Sequence, residues 1–75
     1  MFDKNAIARN LRKHMEEKNI SINKLARLAD VMPSTVWQYI HGYSTPVIYN
    51  LYKISKVLGI SVDNLIKGID DGKED

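Results

Sequence analysis

Cysteine is missing from these 75 residues, so no disulfide can staple the fold and a thiolate zinc site is excluded. Two histidines cannot build a metal site by themselves. A chain lacking cysteine fits a reducing compartment. Long apolar runs are missing too. The longest are three residues, Ala6-Ile7-Ala8 and Val47-Ile48-Tyr49, too short for a bilayer span or a signal-peptide core. Windows of alternating polarity are also absent, so no strand is expected. Catalytic signatures are lacking as well: there is no Gly-x-Ser-x-Gly, no His-Glu-x-x-His, no phosphate-cradling glycine loop and no thiol nucleophile. Glu16 and Glu17 adjoin, which on a helix points them about 100° apart and prevents a carboxylate pair. The expectation is a non-enzyme that uses no cofactor, no metal and no small-molecule substrate.

What is present is a small basic body. Residues 1–29 carry seven Lys and Arg against three acids, and residues 30–68 carry three Lys against two acids. Residues 69–75 reverse the sign, with one Lys against four acids. Residues 1–69 read as one domain and 70–75 as an acidic, flexible C-terminal tail. A domain this size buries only about 60% of its unfolded surface, so an economical helical architecture is expected.

Punctuation divides the chain into five short helices, about 4–18, 22–29, 33–41, 46–58 and 62–67. Asp3, Ser21, Thr45 and Ser61 are candidate N-caps, and Pro33 and Pro46 fit the first helical position. Asn19, Gly42, Gly59 and Gly68 stand where helices end in a left-handed residue. Apolar residues recur at steps of three and four: Ile7, Leu11 and Met15 or His14; Leu25, Leu28 and Ala29; Ile48, Leu51, Tyr52, Ile54 and Leu58; Val62, Leu65 and Ile66. His14 reads as a partly buried histidine bonded to a backbone carbonyl or water, and Tyr49 and Tyr52 as core or dimer-packing residues. Val62, Leu65, Ile66 and Ile69 close the core or meet a second subunit.

The third helix differs from the others. At 100° per residue, Val36, Tyr39 and Ile40 share an inward arc, Ser34, Gln38 and His41 the opposite one, and Trp37 the border. No carboxylate occurs from Val31 to Gly42, although surface helices commonly carry them and a phosphate-lined groove would repel them. Such a helix suits the DNA major groove. There Gln38 is equipped for a bidentate pair with adenine, Ser34 for either base type, and Trp37 for a thymine methyl or a sugar. Tyr43 and Ser44, just beyond, suit phosphate oxygens. His41 sits where a cation complements the helix dipole or meets a phosphate. Arg9, Arg12, Lys13 and Lys24 read first as solvated charges that add to the field.

The run from Ile20 to Gly42, with Leu25-Ala26, the short turn ending at Val31, Ser34-Thr35-Val36 and the closing Gly42, resembles the helix-turn-helix of the XRE family, the phage Cro and lambda-type repressor group. The likeness continues through Pro46, Leu51, Ile54 and Leu58-Gly59-Ile60-Ser61-Val62 to Leu65. It implies a compact five-helix, all-α, lambda-repressor-like domain with the motif at helices two and three. It also implies a Cro-like transcriptional regulator, a repressor by type, whose occupancy follows concentration. The partner implied is double-stranded DNA with a pseudo-palindromic operator, bound by a homodimer in a bacterial or phage-infected cytoplasm, associated with the nucleoid. Under this likeness the DNA-binding set is Asn23, Lys24, Pro33, Ser34, Thr35, Trp37, Gln38, His41, Tyr43 and Ser44. The chain departs from the family pattern with Ile22, Met32, Met15 and Gln38 at frequently polar or arginine positions, Asp30 at a frequent glycine and His14 at a leucine. An alternative reading follows from Met15, Ile22, Met32 and Trp37 on the expected contact side: a protein-interaction module, such as an antitoxin or accessory regulator subunit, with weakened DNA contacts.

Overall fold

The computed structural model describes residues 3–67, which form five helices and no strand. These are α1 (Lys4–Lys18), α2 (Ile22–Ala29), α3 (Pro33–Ile40), α4 (Ile48–Leu58) and α5 (Val62–Ile66). None is long and apolar enough to cross a membrane. Gly68, Ile69 and the acidic segment 70–75, named above, lie outside the described residues.

Three of the four expected N-caps form. Asp3 accepts from the Asn5 amide at 3.0 Å, Ser21 from the Lys24 amide at 3.1 Å and Ser61 from the Asn64 amide at 3.1 Å. Thr45 does not cap. Pro46 is buried within an irregular stretch, 45–47, so α4 begins only after Val47, which holds an extended conformation and offers no side-chain cap. The third helix ends at Ile40 with His41 as its C-cap, and the fifth at Ile66, one residue short of expectation in each case.

Helix ends use left-handed residues as the punctuation predicts. Asn19 (φ 55°) closes α1, Asp30 (φ 59°) closes α2 and Gly59 (φ 70°) closes α4. Asp30 thus takes the glycine position of the turn, a conformation short polar side chains tolerate. Gly42 (φ 72°) follows α3, and its neighbour Tyr43 returns an amide hydrogen bond to the Gln38 carbonyl at 2.9 Å. The left-handed backbone angle is what favours glycine at position 42: an added Cβ would stand 2.8 Å from Asn5 Oδ1, the end of an exposed side chain that can swing aside.

The helices enclose one core: Ile7 and Leu11 from α1, Leu25 from α2, Val36 from α3, Leu51, Ile54 and Leu58 from α4, and Leu65 from α5, all fully buried. Helix α1 packs on α3 and α5, α2 packs on α3 and α4, and α4 on α5. Val62 and Ile66 pack against the core from its edge. Among the described residues no buried side-chain nitrogen or oxygen lacks a partner.

Several inward assignments are corrected. Leu28 is 51% exposed, Ile48 58% and Tyr52 51%. At 100° per residue, Leu28 lies roughly 60° from Leu25, on the side away from the buried Ala26 and Ala29. Ile48 and Tyr52 lie roughly 60° and 100° round α4 from Leu51, beyond the arc that Leu51, Ile54, Ser55 and Leu58 bury. Tyr49 is exposed as well, so neither tyrosine belongs to the core. Met15, by contrast, is a core residue at 7% exposure and contributes nothing to the apolar contact side. His14 is partly buried as expected, and its Nδ1 lies 3.5 Å from Glu17 Oε1, a side-chain partner one turn along α1.

Candidate nucleic-acid interface

Helix α3 is held by its inner face. Val36 is fully buried, and Tyr39 and Ile40 are nearly so, as the helical wheel requires. Two longer reaches fix its orientation. The Tyr39 hydroxyl accepts from Asn50 Nδ2 of α4 at 2.9 Å. Arg12 of α1 donates from Nη1 to the carbonyl of Ile40, satisfying an orphan acceptor at the helix C-terminus. Arg12 is therefore tied into the fold and is not merely a solvated charge. Lys53 does the same for α2, donating to the Asp30 carbonyl at 3.0 Å. Neither bond shows in sequence, because each spans more than twenty residues.

The N-terminus of α3 carries no side-chain cap. Met32 fills the cap position, and Pro33, which has no amide hydrogen, occupies the first turn. Pro33, Ser34, Trp37 and Gln38 are exposed along the outer face, and Thr35 is half-buried. On the adjoining turn of α2, Asn23 and Lys24 are exposed. Past the helix His41 and Tyr43 are exposed and Ser44 is half-buried. The whole expected set thus lies on the two helices of the motif and the loop behind it, with Ser34 and Gln38 both open to solvent.

The side chains of this outer face contact one another. Trp37 stacks on His41 with ring centroids 4.1 Å apart, and Tyr43 leans against Trp37 at 5.4 Å. His41 Nδ1 donates to the Trp37 carbonyl at 2.8 Å, leaving Nε2 for another partner. Ser44 donates to Gln38 Oε1 at 3.4 Å, which orients the carboxamide while leaving its NH2 group and a second lone pair on the oxygen. The Trp37–His41 pair is legible as an i, i+4 spacing; the approach of Tyr43 and Ser44 depends on the reversal at Gly42.

Electrostatics set the face apart. Helix α3 holds neither acid nor base, and no Asp or Glu occurs anywhere from Val31 through Val62. The cations next to it come from α2, where Lys24 and Arg27 are exposed; Lys53 and Lys56 on α4 lie over the rings of Tyr49 and Tyr52 at 4.7 and 5.5 Å. Positive dipole ends and free amides of helix N-termini favour phosphate, and an acid-free stretch removes what would oppose it.

Comparison with known proteins agrees with this geometry. The helix-turn-helix family model HTH_3 matches residues 11–65. An HTH_3 family transcriptional regulator from Vibrio cholerae superposes with a TM-score of 0.79 at 28% identity, covering 84% of this chain and 35% of that one. The restriction-modification controller protein C.AhdI from Aeromonas hydrophila gives a TM-score of 0.80 at 25% identity over 84% of this chain and 96% of its own. A SinR protein/SinI protein complex gives 0.78 at 30% identity over 91% and 64%. This chain thus spans about a third of the Vibrio regulator and just under two thirds of the matched chain of the SinR/SinI complex. No curated protein sequence matches it significantly. With the motif, its spacing and five helices all in place, the chain belongs to HTH_3, the XRE family of DNA-binding helix-turn-helix proteins.

Proposed function

We propose that this protein is a sequence-specific transcriptional regulator, Cro-like and repressing, that reads operator DNA through the major groove with α3. The observation that carries the reading is the outer face of that helix: exposed Ser34 and Gln38 on a rigidly seated helix inside an acid-free stretch of 32 residues. Gln38 pairs with adenine through N6 and N7, and Ser34 bonds a neighbouring base edge. Asn23, Lys24, Tyr43, Ser44 and His41 Nε2 hold phosphates on either side and set register. Pro33 and Thr35 line the approach.

The protein acts as a homodimer, with two copies of α3 in successive major grooves about 34 Å apart. Support for a second copy comes from Val47, Ile48, Tyr49 and Tyr52, all more than half exposed at the start of α4. Clustered exposed apolar side chains commonly mark protein interfaces.

Selection from random duplexes with the purified protein tests the reading. The expected product is a pseudo-palindrome with half-sites about 10 base pairs apart, bound with an affinity that falls steeply with salt. Enrichment of no motif, even at low salt, overturns it. The rival reading, a protein-interaction module in the manner of an antitoxin or accessory subunit, rests on exposed Met32 and Trp37 with half-buried Ile22. It would gain from a stoichiometric protein partner that covers Trp37 while no DNA is retained.

A further inference from the structure

One feature of the outer surface is not polar. Between the N-termini of α2 and α3 lies an open notch lined by Ile22, Pro33 and Trp37, with Ser21, Asn23 and Ser34. Asn23, Pro33, Ser34 and Trp37 of the notch belong to the set assigned to DNA above, so under that reading the notch faces the same ligand. Two further observations identify that occupant. Helix α3 has no Arg or Lys, so it lacks the side chains that most commonly read guanine through O6 and N7. The indole of Trp37 is clamped by His41 and Tyr43, so presenting its ring costs little additional ordering.

On the major-groove edge of unmodified DNA the one apolar group is the C5-methyl of thymine. We propose that the Ile22–Pro33–Trp37 notch receives this methyl, so that α3 reads A·T pairs by two complementary contacts: Gln38 on adenine and the notch on thymine. This inference rests on the operator reading above and narrows it to a site in which the bases beneath α3 are A·T rather than G·C. Ile22 and Trp37 thereby become specificity-determining residues. Ile22, apolar where the family pattern is frequently polar, thereby gains a purpose.

Replacing thymine by uracil removes the methyl and leaves the hydrogen-bonding edge unchanged. In fluorescence anisotropy with the selected operator, uracil at the thymines of one half-site's α3 contact positions should weaken binding about four-fold per methyl buried. The same replacement outside the motif should have no effect. Trp37→Ala and Ile22→Ala should bind thymine and uracil duplexes alike, a loss of discrimination that a general weakening of the fold would not produce. Trp37 is substantially exposed, so its truncation leaves the core intact. A clear motif whose thymines all tolerate uracil overturns the notch assignment while leaving operator recognition standing, as does a motif with G·C beneath α3. A selection that yields no motif overturns both.

Discussion

Helices α1 and α3 bury comparable inner faces and present opposite outer ones. Of the fifteen residues of α1, seven are charged, of both signs, and its outward positions Arg9, Lys13 and Glu17 are exposed. Of the eight residues of α3 none is charged, and the outer face is hydroxyl, carboxamide and indole. A helix facing only water gains solubility from mixed charges. A helix that must enter a groove walled by phosphates gains from having no acids, and it need not carry cations if adjacent elements do. The contrast teaches that the proposed contact surface of this domain stands out by what it leaves out, and the +2 net charge of the chain conveys little of it.

Substitutions can break or sharpen that contrast. The largest effect belongs to the shared interior. Leu11→Ala, at a fully buried position on the inner face of α1, should cost about 2–5 kcal/mol of stability in denaturant unfolding. Next comes Gly42→Ala, which forces a left-handed alanine against Asn5 and should cost about 1–2 kcal/mol by the same measurement. Gln38→Ala should weaken binding to the selected operator by about 1–3 kcal/mol and relax preference at one base pair, with unfolding unchanged to within about 0.5 kcal/mol. Ile48→Asp should shift the monomer–dimer balance towards monomer in sedimentation equilibrium without disturbing the helical circular dichroism. The smallest effect is expected on the outside of α1. Lys13→Ala should alter stability by less than about 0.5 kcal/mol and reduce DNA affinity only through the general field.

The sequence discloses most of this architecture because local rules and tertiary packing agree. Ser21, Ser61 and Asp3 cap as their chemistry suggests, and the wheel of α3 sorts Val36, Tyr39 and Ile40 from Ser34 and Gln38 correctly. The residues that mislead are those whose roles depend on distant partners. Arg12 looks like a surface charge until the carbonyl of Ile40 is brought beside it. Thr45 is a good cap residue, but burial of Pro46 delays the helix it was to start. On α4 the apolar positions outnumber those one buried arc can hold, and periodicity does not decide that Ile48 and Tyr52 stay outside; on α1, Met15, at a position where the family frequently has arginine, goes in. The notch beside Trp37 was equally hidden, since Ile22 and Pro33 meet only when α2 and α3 cross.

The central claim is that the uncharged outer face of α3, and not the charged face of α1, meets the duplex. Amide chemical-shift mapping with 15N-labelled protein and the selected operator tests this directly. The account predicts shifts concentrated at residues 22–24, 34–38 and 41–44, with 9, 13 and 17 unmoved. Shifts centred on α1, with Ser34 and Gln38 silent, would contradict it.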